Sequence, residues 1–199
     1  IHKAASIERL QTRIFGLVNA ISNERKQLKI SINDYNIGGS HVAEYDLMDE
    51  DERMSLTSSS VIVNSIYLDD LYDVYKLKIL PLTNSKKFII KLDIESYEPY
   101  AFEKSENLFK KLEIVAIFME IGKMVEKLKT IKKEFHNNYL LKIKNMLRML
   151  KEMNYEPYEV NGYNMLDYTK WNQDWPWDVY FRQCDLLNCP GHTYKVYGA

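Results

Sequence analysis

Residues 105–154 read SENLFKKLEIVAIFMEIGKMVEKLKTIKKEFHNNYLLKIKNMLRMLKEMN, and the fold turns on how this stretch is read. It holds no Pro and a single Gly, Gly122. Apolar side chains fall at Leu108, Leu112, Val115, Phe118, Ile121, Val125, Leu128, Ile131, Phe135 and Tyr139, then at Met146, Met149 and Met153. That spacing is helical. Lys142 interrupts the stripe, and a second row of Leu140, Ile143, Leu147 and Leu150 begins beside it. Ser105 suits an N-cap with Glu106 in the first turn, and Pro157 lies just beyond the end. The spacing predicts one basic amphipathic helix over 105–154, about 75 Å long at the usual rise. Asn137-Asn138 is where a turn would fall if the helix folded into a hairpin.

Working outward, Ile7, Leu10, Ile14, Leu17, Ile21 and Leu28 alternate spacings of three and four over much of residues 1–30. That is a heptad seam broken at Glu24, and it predicts an N-terminal helix. Residues 31–60 carry Gly38-Gly39, an acidic run from Glu44 to Glu52, and Ser58-Ser59-Ser60. They read as an acidic flexible linker. Val61–Val63 looks like a strand, and Asn64–Lys76 leans to a helix that Pro81 would stop. Lys86–Ile94 reads as a strand whose partner would be Lys76–Leu80 or Val61–Val63. Residues 155–199 are crowded with aromatics, including Trp171, Trp175 and Trp177, without a clear period. They predict an irregular aromatic arm with one short helix near Asp178–Leu187. The fold class expected is therefore mainly α. It is an elongated helical bundle or coiled coil with a small β element in the core of 61–154 and a C-terminal arm over 155–199.

The chain has 46% hydrophobic and 28% charged residues with a net charge of −1, which argues against wholesale disorder and against a global field for polyanions. No run of about 18 apolar residues could span a membrane. The N-terminus does not read as a signal peptide. Only two cysteines are present, which makes no disulfide framework and suggests a reducing compartment.

Four constellations carry candidate chemistry. Cys184, Cys189 and His192 resemble half of a zinc site that lacks a fourth local ligand, and two small buried thiols are the simpler reading. Asp93-x-Glu95 at the end of a predicted strand is like the acidic pair of metal-dependent nucleases. The Lys such a site wants after the second acid is replaced by Tyr97, and Lys91 precedes the pair. The four histidines are scattered and find no nucleophile. The basic positions Lys127, Lys132, Lys133, Lys144 and Arg148 could meet a polyanion, although without interleaved aromatics any nucleic-acid contact would be independent of sequence.

The tract Lys151-Glu152-Met153-Asn154-Tyr155, followed by Gly162-Tyr163-Asn164-Met165-Leu166-Asp167, resembles the end of the tubular head-to-tail adaptor proteins of short-tailed phages. That resemblance implies a ring-forming virion protein without a catalytic site, whose arm contacts a portal or a neighbouring subunit. The expectation that follows is a non-enzymatic structural subunit of a larger assembly, such as a virion connector. It would be a homo-oligomer without cofactor, located in the virion or host cytoplasm, neither secreted nor membrane-spanning. Its contacts would be Leu10, Leu17 and Ile21 in the first seam and Trp171, Trp175 and Trp177 in the arm. The alternatives are a nucleic-acid-binding or metal-dependent nucleic-acid-processing protein and a small regulatory binding module.

Overall fold

The computed structural model describes residues 15–32, 40–42, 60–83, 87–160 and 164–184. The stretch that was to be one helix contains a strand. Glu113–Glu120 forms β6, flanked by a short helix α3 (Glu106–Lys111), then α4 (Ile121–Thr130) and α5 (Lys133–Glu152). The sequence of β6, Glu-Ile-Val-Ala-Ile-Phe-Met-Glu, is a continuous apolar run between two acids. Such a run fits a buried strand and a buried helix equally well by periodicity. Its neighbours decide the matter. β5 (Lys87–Leu92) pairs with it in parallel on one side, and β8 (Asp178–Gln183) in antiparallel on the other.

The remaining members of this sheet follow from that pairing. β7 (Tyr155–Glu159) pairs antiparallel with β8, giving the order β5-β6-β8-β7. β5, β6 and β7 therefore run the same way, and β8 runs back between two of them. Parallel neighbours need crossover connections, usually helical. α2 (Glu98–Phe102) and α3 supply the first, and α4 and α5 the second. A smaller sheet of β1 (Asn19–Ile21), β2 (Gln27–Ser31), β3 (His41–Val42) and β4 (Ser60–Ile66) has the order β1-β4-β2-β3. Between the sheets a 3-10 turn (Leu68–Asp70), a helical turn α1 (Leu71–Val74) and a π-helical turn (Tyr75–Ile79) cover one side.

The expected mainly α bundle is thus overturned. Among the described residues the chain is a mixed α/β protein with two four-stranded sheets. Over residues 15–30 the heptad helix is replaced by β1 and β2, where Leu28 and Ile30 alternate with the polar Gln27 and Lys29. Leu10 and the acidic run Glu44–Glu52 lie outside the described residues. The helix expected from Asn64 is still strand as far as Ile66. The strand expected at Lys86–Ile94 is present, but neither expected partner pairs with it. The described part of the supposed aromatic arm contains β7 and β8, and the short helix expected near Asp178 is the strand β8.

The helix does break, but not at Asn137-Asn138, the place named for a turn: both residues sit exposed within α5. The break falls at Ile131–Lys132 instead, where the backbone turns extended. There the Thr130 hydroxyl donates back to the carbonyls of Glu126 and Lys127. A crowd of lysines at 127, 129, 132 and 133 also disfavours continuation, since like charges three or four residues apart repel. α5 buries Tyr139, Ile143, Met146, Leu147 and Leu150, so the second apolar row is largely inward. The core continues through Ile114, Ile117 and Met119 of β6 and Val179 and Phe181 of β8.

Ile117 is fully buried at the centre of this core. Ile117→Ala is expected to cost about 2–5 kcal/mol, whereas Leu141→Ala, 55% exposed on the outer side of α5, should stay within about 0.5 kcal/mol. Urea midpoints of the two variants check this, and equal midpoints would remove β6 from the core.

Candidate functional site at the acidic end of the main sheet

The register places acids in a row. Leu92 pairs with Met119, so Asp93, just past β5, lies level with Glu120 at the end of β6. Glu120 in turn pairs with Asp178 at the start of β8. Side chains level with one another across strands share a face. Asp93, Glu120 and Asp178 therefore emerge together at one end of the sheet, on the face opposite buried Leu92, Met119 and Val179. In open α/β sheets the crevice outside the carboxyl ends of the parallel strands is the usual place for a ligand.

The turn after β5 adds two more acids. Glu95 and Ser96 adopt left-handed backbone conformations at φ 53° and 74°. For residues with a Cβ each costs about 1–2 kcal/mol. The turn is held by its surroundings. Tyr139 donates its hydroxyl to the Ser96 carbonyl at 2.7 Å, and the Ser96 hydroxyl reaches the Lys123 carbonyl at 3.3 Å. Lys123 pairs with Glu95 at 3.6 Å, and Lys91 with Asp93 at 2.9 Å. Glu98, in the first turn of α2, is fully buried. Its Oε1 accepts the Ile94 amide at 3.1 Å, while its Oε2 has no hydrogen-bond partner. Burial, and secondarily the charges of Glu120 and Asp93, push its pKa up from 4.5 to about 7. Glu120 is also raised, first by partial burial and then by Asp93, Asp178 and Glu95, with a hydrogen bond from Trp177 opposing the shift.

Trp177 closes one side. Its ring packs against Gly122, where an added Cβ would stand 2.4 Å from ring atoms, and the Gly122 amide donates to the Trp177 carbonyl at 3.0 Å. A glycine at the start of α4 is thus required by close approach rather than by flexibility. Lys123 lies 5.8 Å from the ring centroid, and 43% of the tryptophan remains exposed.

The residues singled out from the sequence fare unevenly. Asp93 and Glu95 stand at a strand end as expected, and Trp177 joins them. Glu120 and Asp178 were missed because both were assigned to helices. Trp171 is buried, and Trp175 packs on Tyr168 and Phe181 while donating to the Asp167 carbonyl. Ile21 is half-buried against the core. Leu17 is 47% exposed in an apolar groove beside β5. The basic positions do not share one helix: Lys127 is on α4, Lys132 sits at the break, and Lys133, Lys144 and Arg148 are on α5. Arg148 is engaged by Asn145 and Glu152.

Cys184 is disulfide-bonded, which removes its thiolate from any zinc set and withdraws the reading of two reduced thiols. Cys189 and His192 lie outside the described residues. Among the described residues, no three His, Cys, Asp or Glu groups are placed to hold a metal ion, and no helix is long and apolar enough to cross a membrane. No protein-family model, curated protein or solved structure matches the chain. The likeness to tubular phage adaptors therefore rests on its few residues alone, of which Tyr155 opens β7.

Glu98 generates a pH prediction. Its folded pKa lies above its unfolded value, so stability on its account is complete below about pH 4.5 and is lost as the pH rises towards 7. Glu98→Gln keeps the acceptor for Ile94 and abolishes the charge. The variant should match wild type near pH 4 and exceed it at pH 8 by up to about 3 kcal/mol. Chemical denaturation at both pH values checks this, and identical midpoints at pH 8 would refute it.

Proposed function

We propose that the protein binds a hydroxyl-bearing small molecule, of the carbohydrate or polyol class, at the acidic end of the β5–β6–β8 sheet. The observation that carries this reading is the convergence of Asp93, Glu120 and Asp178 from three adjacent strands beside the half-exposed face of Trp177. Carboxylates accept hydroxyl hydrogens, and an indole face packs against the C–H face of a sugar ring. Lys91 and Lys123 temper the negative charge and supply donors to ring or hydroxyl oxygens. Buried, unsatisfied Glu98 lies behind Asp93 and Glu120, close enough for their charges to raise its pKa. Glu120 opens onto the same place, and partial burial followed by the charges of Asp93, Asp178 and Glu95 holds its pKa above the usual carboxylate value.

Membership of a larger assembly is a second reading, supported by the apolar groove around Leu17 and the exposed Ile89 of β5.

Saturation-transfer NMR and tryptophan fluorescence with a panel of monosaccharides and methyl glycosides, with spermidine as the cationic control, test the first reading. Wild type should engage at least one glycoside in a way that Glu120→Gln and Trp177→Ala weaken about tenfold or more. Gly122→Ala should do the same by displacing the Trp177 ring. Salt-sensitive binding of spermidine alone, or glycoside signals equal in all variants, would overturn it.

A further inference from the structure

The turn that joins β5 to α2 is strained and is fastened to one buried carboxyl. Glu95 and Ser96 hold left-handed backbones within it, and the Ile94 amide at its start donates to Glu98 Oε1 at 3.1 Å. Glu98 is fully buried, and its Oε2 has no hydrogen-bond partner. A neutral carboxyl tolerates such a place far better than a carboxylate, because a buried charge short of donors loses its hydration without replacement. The groups around it give little relief. Asp93, just past β5, and Glu120, at the end of β6, act against its charge. Lys91 is engaged by Asp93, and Lys123 of α4 by Glu95. From α5, which packs on α2, come Tyr139, whose hydroxyl is committed to the Ser96 carbonyl, and Lys142, which is held by Glu103. Tyr97 and Tyr100 stack on one another at 4.6 Å between centroids. Opening the turn brings water to Glu98 while the sheet stays paired, and it also frees two left-handed residues of their strain.

We propose that Glu98 is a proton-operated latch on the 94–97 turn: neutral, it holds the turn closed, and ionised, it drives the turn towards an open form in which β5 and β6 remain paired. The turn carries Glu95 and follows Asp93, so the acidic end is most fully assembled while Glu98 keeps its proton. As regulation of ligand binding this rests on the reading of that end as a binding site, whereas the latch itself does not. The sign follows from burial, which raises the Glu98 pKa from 4.5 to about 7. The closed turn is at full strength below about pH 4.5 and weakens as the pH rises through 7. Against a solvated open turn the loss reaches about 300-fold, the ratio set by those two values.

The test follows amide hydrogen exchange and NMR shifts of the full chain without ligand. Corrected for the intrinsic exchange rate at each pH, protection of the Ile94 amide should fall about tenfold or more between pH 5 and pH 8. The fall should be insensitive to sub-denaturing urea, which marks a local opening rather than global unfolding. In Glu98→Gln, which keeps the acceptor for Ile94, protection should stay level across the same range. In wild type alone, the Glu98 carboxyl carbon and the Ser96 amide should titrate with one shared midpoint near 7. Protection equal at both pH values, a fall that grows with urea, a fall retained in Glu98→Gln, or a Glu98 midpoint in the ordinary carboxylate range would each overturn the proposal. No ligand enters these measurements, so their failure leaves the glycoside experiment standing, and failure of the glycoside experiment leaves the latch standing.

Discussion

Every other feature depends on the two-sided pairing of β6. Its parallel contact with β5 fixes the direction of that strand and obliges the chain to cross over through α2 and α3. Its antiparallel contact with β8 fills its second edge, and β7, reached through α4 and α5, pairs with β8. The buried side chains Ile114, Ile117 and Met119 each contribute about 1.5–3 kcal/mol by burial, so the pairing also seats part of the core. The same register sets the acids level with one another. Shifting β6 by one residue would send Glu120 to the covered face and Met119 to the open one.

That dependence explains what could be read from residues alone. β5 was legible because Phe88, Ile90 and Leu92 alternate with Lys87 and Lys91 in a short run that suits no helix. β6 was not, because Leu112, Val115, Phe118 and Ile121 recur every third residue as on a helix face, and helix formers flank it without a break. What makes it a strand is the presence of partners far away in sequence, which no local pattern contains. β8 shows the opposite failure. Val179 and Phe181 alternate with exposed or half-exposed Asp178, Tyr180 and Arg182, which is a strand signature, yet the surrounding aromatics made the tract look irregular. Its rings are in fact ordered, with Phe118, Tyr180 and Tyr158 stacked across three strands.

The candidate site was half legible for the same reason. Asp93 and Glu95 could be placed at a strand end because β5 could be recognised. Glu120 and Asp178 could not, since their proximity follows from the β6–β8 register. Trp177 was singled out as a large aromatic needing a partner, and its partner is intramolecular: the bare backbone of Gly122. The basic stretch lost its unity once Lys132 proved to lie in a break between helices.

The acidic end is locally unfavourable in several independent ways. Glu98 is buried with one oxygen unpaired, Glu120 is raised first by partial burial and then by three neighbouring carboxylates, and Glu95 and Ser96 hold left-handed backbones. Each of these costs stability, and an amide at Glu98 would relieve the first while keeping the acceptor for Ile94. Asn154 also holds a left-handed backbone and the hydroxyls of Tyr75 and Tyr158 are buried without a partner, but among the described residues the acidic end alone combines backbone strain with a buried, partly unpaired carboxylate. The turn is held by Tyr139 from α5 and by Lys123 from α4, so both helices of the second crossover act on it. The helices that cover the sheet therefore also fix the turn beside its acidic end, by direct contact with Glu95 and Ser96.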